Sequence, residues 1–245
     1  MILLVNKDYF YFILGHGKSY KGGSCLINDF KEEIIDVSWK FVEIHYNLNR
    51  EQFSKIPIFL WGESLGGATV IAMIMNPSKE VKIAGIIGSG PMVTITDKPN
   101  GFLTGVISLF SKCCNFGLGV EDQSKNSSLL SQQKLYNSHL ECFKKSLPAK
   151  TAIQLFKMSD YVVEHLNNSG IDIPMLIQYG KDDTTCSGYD LLINKNVNKD
   201  KKIIKYDGRH CITHDITILS VVDDLAEWLL ERSQEKKTTN DNTYR

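Results

Sequence analysis

The sequence predicts one α/β domain built on a mainly parallel sheet with helices on both faces, and three observations carry that expectation. Short apolar, strand-like runs alternate with amphipathic helices along most of the chain. Several of the runs stop at Gly-rich or Asp-Gly turns, beyond the strand ends where parallel sheets place their sites. A length of 245 residues with 42% hydrophobic and 23% charged residues suits a single core of ordinary composition. We assign residues 1–232 to this domain and 233–245 to a polar tail expected to fray.

Taken in order, residues 1–14 are apolar, but Asn6, Lys7 and Asp8 split the run and no small-residue cleavage site follows. Two strand-like pieces are therefore expected rather than a signal peptide. Residues 9–14, aromatic and β-rich, stop at Gly15-His16-Gly17 as a buried strand would. Over 30–48 the apolar residues Phe30, Ile34, Val37, Phe41, Ile44 and Leu48 recur at steps of three and four, which predicts a helix with those residues on its buried face. Residues 57–61 predict a strand that passes through a Gly-rich turn into a helix over 68–75, ended by Pro77. A further strand over 81–87 stops at Gly88-Ser89-Gly90-Pro91.

From about 93 to 168 the pattern changes to helical pieces at 102–116 and 148–166 around a polar stretch at 121–133, which reads as an inserted cap. Strand 174–179, helix 187–194, strand 203–206 and helix 216–230 then resume the alternation.

Composition excludes several functions. Basic and acidic residues are equal at 28 each, so no net field favours nucleic acid as a partner. Cys25, Cys113, Cys114, Cys142, Cys186 and Cys211 form no C-x-x-C pair and no framework spacing, the pattern of reduced thiols in the cytosol. No metal or organic cofactor is expected. No segment approaches the roughly 20 apolar residues of a membrane span, so any lipid contact is expected to be peripheral.

Chemistry concentrates in Gly62-Glu63-Ser64-Leu65-Gly66. A serine hydroxyl is a weak nucleophile at neutral pH and needs both an adjacent base and a backbone that exposes it. G-x-S-x-G between a strand and a helix supplies that backbone, with the Leu65 amide as an oxyanion donor. An acid and a base should follow in the order Asp, then His, on loops after later strands. Gly180-Lys181-Asp182-Asp183 and Asp207-Gly208-Arg209-His210 occupy those places. His210 is the expected base and Asp183 the expected acid, with Asp182 and His214 as their rivals.

Gly15-His16-Gly17-Lys18-Ser19, Gly62-Glu63-Ser64-Leu65-Gly66-Gly67, Gly180-x-x-Asp183 and Tyr206-Asp207-Gly208-Arg209-His210 together resemble the monoacylglycerol lipase and lysophospholipase branch of the α/β-hydrolases, over residues 9–230. In that branch the acid follows Gly-x-x, which selects Asp183 over Asp182. The resemblance implies an α/β-hydrolase fold, hydrolysis of an ester of a single-chain lipid without cofactor, and a helical cap that meets a membrane surface peripherally. Residues 101–119, with Phe102, Leu103, Val106, Ile107, Leu109, Phe110, Phe116 and Leu118, suit such a cap and equally an ordinary buried helix.

Two departures stand out. Phe12-Ile13-Leu14 stands where the family carries Asp-x-Arg, and no segment matches the family's first strand and His-Gly loop, which provide a second oxyanion donor. Loss of one donor costs about 3 to 4 kcal/mol. With all three triad members in register, the expectation is a chain lacking its first strands. The competing expectation is a non-catalytic lipid-binding or signalling protein on the same shell.

Overall fold

The computed structural model describes residues 2–5, 25–113, 116–118, 123–138, 146–194 and 200–241. Strand β1 (Ile2–Val5) comes first, and a π-helical turn at Lys31–Asp36 leads into α1 (Val37–Leu48) and the single turn α2 (Arg50–Phe53). Next come β2 (Ile58–Glu63), α3 (Leu65–Met75) and β3 (Ile83–Ser89), the predicted strand, turn, helix and strand. The chain then runs through β4 (Thr94–Ile95), α4 (Gly101–Cys113), β5 (Gly117–Leu118), α5 (Leu130–Ser138), β6 (Leu147–Pro148) and α6 (Ala149–Asn168). It closes with β7 (Met175–Gly180), β8 (Cys186–Ser187), α7 (Tyr189–Asn194), β9 (Lys201–Tyr206) and α8 (Ile218–Asp241).

The main sheet has the order β1-β2-β3-β7-β9. The pairs β2/β3, β3/β7 and β7/β9 are parallel, while β1 lies antiparallel on the outer flank of β2. The expected mainly parallel α/β architecture holds. Register aligns the strand ends: Glu63 pairs with Ser89, Ser89 with Gln178 and Gly180 with Tyr206. The loops after β2, β3, β7 and β9 consequently emerge along one edge, beyond the carboxyl ends of the strands.

Continuous apolar runs in β2, β3 and β7 are explained by cover on both faces. One face packs Trp39, Ile71, Met73, Met158, Val162 and Leu166, so the second half of α6 belongs to the main core. The other packs Phe59, Ile87 and Leu176 against Trp228 of α8, with the Phe59 and Trp228 rings edge-on at 5.5 Å. Gly85 makes room for that indole, since a Cβ there would lie 2.8 Å from it.

Two sequence expectations are corrected. The helix over 30–48 does not bury Ile44 and Leu48, which are exposed; Ile35, Trp39 and Val42 face the core instead. The π-helical turn inserts one residue, rotating the later face by about 100° relative to an uninterrupted 3.6-residue repeat. The tail expected to fray from 233 is helical through Asp241: Gln234, Glu235, Lys236 and Lys237 are good helix formers and no Gly or Pro interrupts the run. The predicted strand 9–14 and the motif 15–19 lie outside the described residues. Among the described residues no helix is long and apolar enough to cross a membrane.

Candidate active site

The turn from β2 into α3 holds Ser64 at φ 53°, ψ −116°, a left-handed conformation rare for a residue with a Cβ. Such a conformation costs about 1 to 3 kcal/mol and persists only where its surroundings enforce it. Three backbone bonds do so: the Ser64 amide donates to Ser89 O at 2.9 Å, and Ser64 O accepts from Met92 at 3.0 Å and Ala68 at 3.1 Å. Gly62 is required, because a Cβ there would lie 2.1 Å from Gly66 O, and Gly67 lets the helix pass Pro91, 2.7 Å from where its Cβ would be. Leu65 is the first residue of α3, so its amide has no intrahelical acceptor.

Ser64 Oγ lies 2.8 Å from His210 Nε2, and His210 Nδ1 lies 2.8 Å from Asp183 Oδ2. Each of the three follows a different parallel strand. The Asp183 and His210 side chains are 1% and 3% exposed, so the serine is the accessible end of the chain of bonds. Burial pushes the Asp183 carboxyl up, but bonds from His210, the Cys186 amide and the Tyr189 hydroxyl outweigh it and hold the group below the usual carboxylate range. An ionised carboxylate only accepts, so Nδ1 carries the hydrogen of that bond and Nε2 is the ring atom that faces Ser64 Oγ.

The sequence profile of the family described as serine aminopeptidase, S33, matches residues 8–217. The chain belongs to that family. Among its relatives, a putative monoglyceride lipase of Schizosaccharomyces pombe is 26% identical, aligned over 91% of this chain and 60% of its own length. The monoglyceride lipase of Saccharomyces cerevisiae is 25% identical over 88% of this chain and 72% of its own. The crystal structure of a soluble variant of that yeast enzyme with a substrate analog superposes with a TM-score of 0.75 at 22% identity, covering 89% of this chain and 75% of that one. The resemblance to the monoacylglycerol lipase branch is thereby upheld.

Within this S33 member, the rival residues sit elsewhere. Asp182 is exposed, and its amide donates to Gly208 O at 3.0 Å. His214 is exposed too, its Nδ1 3.7 Å from Glu63 Oε2. Glu63, the residue before Ser64, also accepts from the Thr213 hydroxyl, which ties the Ser64 turn to the His210 loop.

Several supports have no sequence signal of their own. Tyr189 donates to Asp183 Oδ2 at 2.6 Å while its ring stacks on Tyr179 at 4.2 Å. The amides of Thr185 and Cys186 both donate to Asp183 Oδ1 at 2.9 Å. Gly90, at φ +50°, backs onto His210, whose carbonyl would lie 2.8 Å from a Cβ there. Gly180 is the legible one: a Cβ would lie 2.1 Å from Arg209 O, so the Gly of Gly-x-x-Asp lets the loops of Asp183 and His210 close on each other.

Cys25, Cys186 and Cys211 carry free thiols. Burial pushes Cys25 up to about 11 and raises Cys186 and Cys211 as well, with the Asp183 charge adding to Cys186, so these remain neutral SH groups. Among the described residues no group of three or more His, Cys, Asp or Glu could hold a metal ion.

Proposed function

We propose that this chain hydrolyses the ester of a single-chain lipid, a monoacylglycerol or a lysophospholipid, through an acyl-enzyme on Ser64. The observation that carries the reading is the continuous bond chain from Ser64 through His210 to Asp183, in a family member whose curated relatives include monoglyceride lipases. His210 takes the Ser64 proton as the oxygen attacks the ester carbonyl, and the Asp183 carboxylate stabilises the imidazolium that forms. The Leu65 amide at the head of α3 donates to the developing oxyanion. His210 then protonates the departing alcohol, and water, deprotonated by the same ring, cleaves the acyl-enzyme.

The stretch from about residue 93 to the first half of α6 serves in this reading as the cap, the second half of α6 belonging to the main core. Helix α4 supports it, with Lys112 its single charged residue and Leu103, Leu109 and Phe110 exposed. In this reading the protein sits in the cytosol and touches a membrane peripherally, the acyl chain passing from the bilayer under α4 to Ser64.

A panel of monoacylglycerols, lysophosphatidylcholine and a short p-nitrophenyl ester tests the assignment against the Ser64→Ala variant. Fatty-acid release from the lipids by the native chain, falling to background in the variant, is expected. Equal release by both, or turnover of the short ester alone, would overturn the substrate or the nucleophile.

A further inference from the structure

The segment 125–128, in the run between β3 and β7, is bonded residue by residue to the two loops that carry Asp183 and His210. Arg209 Nη1 donates to Lys125 O at 3.0 Å, and the Cys211 amide donates to Asn126 O at 2.9 Å. The Thr185 hydroxyl donates to Asn126 Oδ1 at 3.0 Å, and the Ser127 hydroxyl donates to His214 O at 2.6 Å. Ser128 finishes the strap by giving its amide to Asp215 Oδ2 at 3.1 Å and its hydroxyl to Asp215 Oδ1.

Asp215 is fully buried, and it accepts two further amides: Arg209 on Oδ2 at 3.0 Å and Ile216 on Oδ1 at 2.8 Å. Each carboxylate oxygen therefore faces two donors. The residues on either side of His210 are held, Arg209 by Asp215 and Cys211 by Asn126. The same Asn126 holds Thr185, whose amide binds the Asp183 carboxylate. Base loop and acid loop are thus joined through one strap.

Buried charge is weak evidence for stability, and an apolar replacement is often as stable. What an anion offers here is geometric, because all its partners are donors. An amide in its place turns NH2 toward two of them and cannot hold the same arrangement.

We propose that Asp215 is a positioning residue, clamping the strap 125–128 across the acid and base loops so that the His210 ring stays in line with Ser64. The inference rests on the reading of the site as a serine ester hydrolase. A misplacement near 1 Å in such a site costs on the order of 10²-fold in rate.

Asp215→Asn and Thr185→Val test it, the second removing only the hydroxyl that holds Asn126 while keeping the amide on Asp183. Steady-state kinetics on p-nitrophenyl butyrate are measured with folding checked by circular dichroism, together with the downfield proton resonance of the His210–Asp183 bond. For Asp215→Asn a fall in kcat of roughly 30- to 100-fold is expected, with KM changed less than about threefold and the downfield resonance broadened. Thr185→Val, missing one bond, loses about 3- to 10-fold in kcat.

Folded Asp215→Asn with native kcat and an intact resonance would overturn the inference while leaving the hydrolase reading standing. If Asp215→Asn does not fold, unchanged kcat in Thr185→Val overturns it instead. A native chain without Ser64-dependent turnover would overturn the hydrolase reading, and the inference with it.

Discussion

Asp183→Asn separates the triad from every other arrangement of these side chains. The Thr185 and Cys186 amides both donate to Oδ1, so the asparagine must keep its oxygen there. Its NH2 then stands at Oδ2, facing His210 Nδ1 and the Tyr189 hydroxyl. Donation from that NH2 strips the hydrogen from Nδ1 and moves it to Nε2, which then points a donor at Ser64 Oγ and cannot take its proton. A wrong tautomer in an otherwise intact triad lowers kcat about 10⁴-fold, or about 5.5 kcal/mol. The assay is hydrolysis of a soluble ester near pH 7, with KM expected to change less than about threefold because no binding contact is lost. Asp182→Asn is the control and should stay within about twofold. Retention of more than a tenth of native kcat by Asp183→Asn, or an equal loss in Asp182→Asn, would refute the assignment of the acid.

Tyr189→Phe removes one donor from Asp183 Oδ2 while keeping the stack on Tyr179, and kcat should fall about 3- to 10-fold; unchanged kinetics would show that the hydroxyl does not hold the carboxylate. Gly180→Ala forces a methyl against the Arg209 carbonyl and should cost about 3 kcal/mol in urea unfolding, whereas native stability would mean the two loops part freely. Asp183 and Asp215 are both pushed up by burial yet held below the ordinary carboxylate range by hydrogen bonds. Their folded pKa values lie below the unfolded value of about 3.9, so the stability they contribute is present above about pH 4 and is lost as pH falls through the folded values. Urea titrations from pH 7 to pH 3 should show a decline at the acid end that is smaller in Asp215→Asn, and a pH-independent midpoint would contradict this.

Strands β2, β3, β7 and β9, the turn at Ser64 and the order of Asp183 and His210 were legible because each has a local signature. Gly62 and Gly180 announce backbone approaches that no side chain permits, and each stands just before a site residue, Ser64 and Asp183. Periodicity failed at 30–48, where a π-helical turn leaves no mark in the spacing of apolar residues and turns Ile44 and Leu48 outward. The strap was illegible for a different reason. Asn126 and Thr185, or Ser128 and Asp215, are far apart in sequence, and polar residues of these types ordinarily read as turns and caps. Only their convergence on the two loops that carry Asp183 and His210 distinguishes them. The antiparallel β1 beside β2 was likewise beyond periodicity, since an apolar tetrad carries no direction of pairing.

The central claim is that Ser64 is a nucleophile activated by His210. Incubation with a fluorophosphonate probe followed by intact and peptide mass spectrometry measures this directly. One adduct on the peptide containing Ser64 is predicted, absent from Ser64→Ala and formed far more slowly in His210→Ala. No adduct on the native chain, or an adduct that persists in Ser64→Ala, would contradict the account.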